Sequence, residues 1–184
     1  MSNNSFKIGL FGLGGVGKSC IAIKYVQGQF MEEYDPTIAD NFSKLAEVDN
    51  RAIQLTIFDT AGMEGFTEYQ RNVIQSSDGF LVIFAVDDAF SFSKIPDIIQ
   101  EILRIRGGEW VPIVICANKC DKEPKITISD AELYAKDKNF KFLTTSAKDN
   151  TNIDNAFKEC VREIWKVKPP QDTEGPKHKF CNLL

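Results

Sequence analysis

Gly12-Leu13-Gly14-Gly15-Val16-Gly17-Lys18-Ser19 is the stretch on which the fold turns. It fits the pattern GxxxxGK[ST], directly after an apolar run at residues 6–11 and opening a helical pattern at 18–27. Glycines let the backbone curl until successive N–H groups and the helix N-terminus face one anion. Lys18 brings a point charge suited to the β- and γ-phosphates of a nucleotide, and the Ser19 hydroxyl is a magnesium ligand. At ordinary amino-acid frequencies a chance match in a chain of this length is about 1 in 150, before the strand–loop–helix setting is counted. A glycine-rich turn with no ligand is the reading this disfavours.

Outward from that loop, apolar runs alternate with helical patterns. Residues 42–48, 52–58, 80–86, 113–117 and 141–145 read as further strands. Two of them, 80–86 and 113–117, are almost wholly apolar, as strands covered on both faces must be. Asp49-Asn50 is a short turn signal, which makes 42–48 and 52–58 an antiparallel hairpin. Helical patterns follow at 91–106, 129–138 and 153–167, with a shorter one near 66–75. Ser129-Asp130-Ala131-Glu132 has the form of a capping box, and Ile153, Phe157, Cys160, Val161 and Ile164 share one helical stripe. The expected architecture is α/β: a six-stranded, mostly parallel sheet with one antiparallel edge strand and helices on both faces. Ligands of such sheets sit beyond the C-terminal ends of the strands. Pro169-Pro170 closes the pattern, so residues 1–168 form the domain and 169–184 a flexible tail.

Composition narrows the setting. The 184 residues are 43% hydrophobic and 26% charged, the balance of a soluble globular protein. Net charge is −4, but residues from Lys166 onward carry +2 and the preceding 165 carry −6. An acidic body argues against nucleic acid as a partner. Cys20, Cys116, Cys120, Cys160 and Cys181 are odd in number and unpaired in spacing, which fits a reducing compartment and neither a disulfide framework nor a zinc site. Cys116 and Cys120 read as packing residues at a strand end, and the lone His178 as a solvated residue. No apolar run approaches the ~18 residues of a membrane span, and the polar N-terminus lacks the form of a signal peptide.

Three more segments stand in order along the chain. Asp59-Thr60-Ala61-Gly62 follows the third strand, Asn118-Lys119-Cys120-Asp121 the fifth, and Ser146-Ala147-Lys148 the sixth. Between the first helix and second strand lies Tyr34-Asp35-Pro36-Thr37-Ile38-Ala39-Asp40. With the phosphate loop, this set resembles the small GTPases, and the Tyr34–Asp40 loop resembles the effector loop of the Ras/Rap subfamily. The resemblance runs from about Phe6 to Trp165 and includes the C-terminus. It implies the P-loop NTPase G domain and a GTP/GDP-binding, magnesium-dependent switch in signal transduction.

A carboxylate at Asp121 can accept from both the N1–H and the 2-amino group of guanine, a donor pair that adenine lacks. By resemblance, Asn118 bonds the base's other edge and the Ala147 N–H meets its exocyclic oxygen. The stems of Lys119 and Lys148 flank the ring, and Phe30 packs across it. Gly14, Gly15, Val16, Gly17, Lys18, Ser19, Cys20 and Ser146 complete the expected nucleotide contacts. Magnesium is expected on Ser19 and Thr37, with Asp59 reaching it through water. Gly62 offers its N–H to the γ-phosphate and is the natural hinge of the switch. Tyr34 either closes over the phosphates or is simply an exposed loop tyrosine.

Two residues depart from the Ras pattern. Met63 stands where a glutamine usually orients the attacking water, and a thioether donates no hydrogen bond. Rap-type proteins also lack that glutamine, and Gly65-Phe66-Thr67 is closer to theirs. The expectation is slow hydrolysis, with an activating protein supplying both a water-orienting residue and an arginine finger, since 28–40 contains no arginine. A constitutively GTP-bound effector-binding module is the alternative, and another enzyme with a phosphate loop, such as a small-molecule kinase, is opposed by Asp121. Ala39 replaces the usual effector-loop glutamate, which weakens complementarity to basic surfaces. Expected partners are effectors with Ras-binding-type domains, exchange factors and activating proteins, each meeting a monomer.

Cys181-Asn182-Leu183-Leu184 fits the C-a-a-X prenylation signal, apart from the non-aliphatic Asn182, and its terminal Leu favours geranylgeranyl. Lys177 and Lys179 add ~1 kcal/mol each at an anionic surface, which a single lipid chain needs. The expected location is the cytoplasmic face of a membrane, the plasma membrane first.

Overall fold

Among the described residues, β-branched and aromatic residues build six strands, and the helices between them carry the apolar stripes that cover the sheet. The structure, a computed structural model, describes residues 4–30, 39–62 and 67–170. The strands are β1 (Ser5–Phe11), β2 (Ala39–Val48), β3 (Arg51–Thr60), β4 (Gly79–Ala85), β5 (Ile113–Asn118) and β6 (Lys141–Thr144). The helices are α1 (Lys18–Gln27), α2 (Glu68–Ser76), α3 (Ala89–Ser93), α4 (Ile95–Ile105), α5 (Ile128–Asp137) and α6 (Ile153–Val167).

Strand order is β2-β3-β1-β4-β5-β6. Among the described strands, only β2 and β3 pair antiparallel, through a turn whose Asp49 and Asn50 have φ of 48° and 62°. Two successive left-handed residues are what a two-residue hairpin requires, and Asn and Asp tolerate them. The chain leaves β1 for β3 on one side and reaches β4 on the other. This reversal opens a crevice at the C-terminal end of β1.

Alternation along the strands divides the core. Leu81, Ile83, Val114 and Cys116 face α1 and α6, where Ile21, Tyr25, Phe157 and Ile164 meet them. Phe80, Val82, Ile113 and Ile115 face α2, α4 and α5. All five residues of the expected α6 stripe are buried. Edge strand β2 leaves Leu45 69% exposed. Arg162 on α6 holds Asp49 at 2.6 Å, fastening the hairpin turn to the helix layer. Lys168, just past α6, pairs at 2.6 Å with Asp78, the residue before β4.

Three expectations need correction. The pattern at 91–106 is two helices, because Asp88 caps α3 through the Phe90 and Ser91 N–H groups and Pro96 begins a second one. Proline lacks an N–H and fits only a first helical turn. Ser129-Glu132 is not a capping box: α5 starts at Ile128 after Thr127, which makes no side-chain cap bond, so Ser129 is already inside the helix. Cys120 is exposed, because the left-handed Lys119 (φ 62°) carries the chain out of the strand before it; Cys116 is buried as expected.

Candidate functional site

The phosphate loop leaves β1 with Gly12 at φ 153°, where a Cβ would stand 2.2 Å from the Ile83 carbonyl oxygen. Gly17 caps α1 in the left-handed region, where a Cβ would meet Asn118 Nδ2 at 2.5 Å. Side chains at either position are excluded by backbone conformation and by space. Among the described residues, nothing lies within 4 Å of where a Cβ would be at Gly14 or Gly15. Lys18 is only 6% exposed and runs back under the loop, donating to the carbonyls of Gly12 (3.1 Å) and Leu13 (2.9 Å). Burial lowers its pKa to about 8, against the favourable charge of Asp59. Carbonyl groups are thus tied inward, leaving the loop's N–H groups to face an anion.

Asp59 lies within β3, between Leu10 on β1 and Asp40 on β2. Its carboxylate is wholly buried, and neither oxygen has a hydrogen bond of good geometry. Burial raises its pKa to about 6, while the neighbouring Ser19 hydroxyl and Lys18 ammonium hold it down and Asp40 pushes it up. A buried carboxylate short of donors, beside a hydroxyl and a cradle for phosphate, fits magnesium, which keeps several waters and shares its shell with phosphate oxygens. Among the described residues no group of three His, Cys, Asp or Glu could hold a metal by itself. Ser19 and Asp59 are therefore brought together. Gly62 sits on the phosphate loop, where a Cβ would be 2.5 Å from both Gly14 N and Cα.

A cavity of about 460 Å³ opens beside the loop. Gly15, Gly17 and Cys20 form its floor, and Phe30 stands at its mouth, 36% exposed. Asn118, Lys119 and Asp121 come from the end of β5, and Ala147 and Lys148 from the loop after β6. Asp121 Oδ1 accepts from Ser146 Oγ at 2.6 Å, and the same hydroxyl accepts from the Asp149 N–H at 3.1 Å. Ser146 therefore aims the carboxylate from behind the cavity wall. Asn118 acts as a strap: Nδ2 donates to the Val16 carbonyl (2.8 Å) and Oδ1 accepts from Thr145 Oγ1 (3.2 Å). It joins three loops, with one amide hydrogen left over.

Lys122 also lines the cavity, and neither it nor its partner Asp87 is marked by any motif. Tyr34, Asp35, Pro36, Thr37, Ile38, Met63 and Cys181 lie outside the described residues, as does the side chain of Ala39. Asp40 is exposed on β2.

The family model that matches the sequence is described as "Ras family" and covers residues 7–166. The chain is a member of the Ras family. Relatives of this Ras-family GTPase include "Ras-like protein rasS" of Dictyostelium discoideum, 37% identical over 192 aligned positions, which cover 98% of this chain and 99% of that one. "Protein ras-1" of Neurospora crassa is 40% identical over 163 positions, 88% of this chain and 76% of the relative. As a Ras-family GTPase it is a GTP-binding molecular switch with GTPase activity. The family's general ligands, GTP or GDP with magnesium, suit the phosphate loop, the buried Asp59 and the cavity above them. Effectors, exchange factors and activating proteins are the general partner classes of such switches.

Proposed function

We propose that this Ras-family switch hydrolyses GTP slowly by itself and depends on an activating protein for the residue that orients water. The observation that carries the reading is Met63, next in sequence after Gly62, whose backbone seats against Gly14 of the phosphate loop. A thioether accepts a hydrogen bond only weakly and donates none, so Met63 leaves the attacking water unoriented. Ser19, Thr37 and, through water, Asp59 would hold magnesium, which would supply positive charge to the phosphate oxygens. Lys18 leaves its two carbonyls for the same oxygens. The open space over Gly14 and Gly15 admits an arginine finger.

Guanine enters the cavity between Phe30 and the stems of Lys119 and Lys148, with Asp121 accepting from its N1–H and 2-amino group. The Ala147 N–H meets the exocyclic oxygen, while Asn118, already a strap, has one hydrogen for the base. Thr37 and Gly62 tether the first and second switch loops to the γ-phosphate, and its loss releases both. Effectors read Tyr34 to Asp40, with Ala39 favouring a less basic partner than a glutamate would. Residues 1–168 act as the monomeric G domain, and 169–184 carry it to the cytoplasmic face of a membrane through prenylated Cys181.

Single-turnover hydrolysis by the wild type and Met63→Gln tests the reading. The variant is expected to be about 10-fold faster, the effect of one well-placed hydrogen bond. Equal rates would overturn it. A wild type that stays GTP-loaded even with an activating protein would favour the constitutively bound effector module.

A further inference from the structure

Asp87 lies outside the cavity lining, in the turn that follows β4. That turn is held from both sides: the Val86 N–H donates to the Asn118 carbonyl at 2.9 Å, and the Lys125 N–H to the Val86 carbonyl at 2.8 Å. Opposite it, the Lys122 N–H donates to the Lys119 carbonyl at 2.9 Å, closing a tight turn around the left-handed Lys119. Both lysine side chains then point to one carboxylate. Lys122 Nζ is 2.8 Å from Asp87 Oδ2, and Lys119 Nζ is 3.8 Å from Oδ1, which is buried and otherwise without a hydrogen bond. Both lysines also line the cavity.

We propose that Asp87 is a positioning residue for the guanine pocket: by holding Lys119 and Lys122 from outside, it keeps their stems against the wall and slows nucleotide release. The proposal rests on the reading of the cavity as the guanine site. Two ammonium groups set side by side repel, and without the carboxylate between them they separate into solvent. Separation draws the Lys119 stem off the face of the base. Although burial opposes its ionisation, the Lys122 hydrogen bond and both lysine charges keep the Asp87 carboxyl below its usual range, so it stays ionised at neutral pH. Lys122 gains the complementary upward shift from the same bond.

The position is not a contact to any part of guanine that distinguishes it from hypoxanthine. Loss of Asp87 should therefore speed release of GDP and IDP alike, whereas loss of Asp121, which faces the 2-amino group, should affect GDP far more. The experiment measures release of fluorescent GDP and IDP, with magnesium, from the full chain and from Asp87→Asn, Asp87→Glu and Lys122→Met. Asp87→Asn is expected to release both nucleotides roughly 2–5-fold faster, the worth of a half-exposed ion pair. Asp87→Glu should restore much of the loss, and raised salt should shrink the gap between wild type and Asp87→Asn. Lys122→Met should be milder and should reduce the effect of Asp87→Asn in the double variant. Unchanged release from Asp87→Asn, with tight GDP binding in both proteins, would overturn the proposal and leave the guanine reading intact. Faster release that Asp87→Glu fails to restore and salt fails to alter would overturn it in favour of a loop-packing role. A wild type that binds no GDP would overturn both.

Discussion

Asp59 is ionisable, wholly buried and short of donors, and under the proposed function a hard cation and its waters would supply what the protein does not. Without magnesium the cost is exposed. A folded-state pKa of about 6, above the unfolded value near ~3.9, means the folded chain binds this proton more tightly. Its contribution to stability therefore rises as pH falls through 6 towards 4, and is least above 6. Removing the charge should help most at neutral pH. In EDTA, Asp59→Asn should melt above the wild type at pH 7.5, and the difference should narrow at pH 5; a constant difference would contradict the assignment. At this scale the sequence was uneven. The glycines of the phosphate loop announced themselves by spacing, and Asp121 by its place after an apolar strand. The contact between Gly62 and Gly14, the Asn118 strap to Val16 and Thr145, and the Asp87 link to two lysines join residues 27 to 102 positions apart. No local pattern records such pairings.

Elements were more legible than their ends. The expected hairpin, the sixfold sheet and the α6 stripe all follow from period-2 and period-3.6 patterning, which burial enforces along whole segments. Caps are decided by one or two residues, which periodicity does not locate. Both Ser129-Glu132 and Thr67-Gln70 fit the capping-box form, yet only Thr67 adopts the extended conformation of a cap, with its hydroxyl accepting from the Gln70 N–H and Gln70 Oε1 accepting from the Thr67 N–H. The other end of α2 is held by Arg106, which donates to the carbonyls of Ile74 (3.2 Å) and Ser77 (2.6 Å). A helix fixed at its C-terminus opens from its N-terminus. Thr67→Ala should cost ~1 kcal/mol. The loss should appear as faster amide hydrogen exchange in the first turn of α2, with α6 unaffected.

For the molecule as a whole, location turns on the proposed prenylation of Cys181. Cys181→Ser should move the protein from the membrane pellet to the soluble fraction while leaving GDP binding unchanged. A wild type that fractionates like the variant would contradict the proposed anchor. What such an anchor would achieve depends on Lys168 and Asp78. Their ion pair fastens the exit of α6 beside the N-terminal ends of the strands, whereas the cavity lies beyond the C-terminal ends. The sheet thus separates two poles, the exit of α6 and the cavity, by the length of a seven-residue strand, roughly 20 Å. A protein held by one pole presents the other outward. With the proposed anchor in place, nucleotide and regulators would approach from the aqueous side without the tether having to move aside.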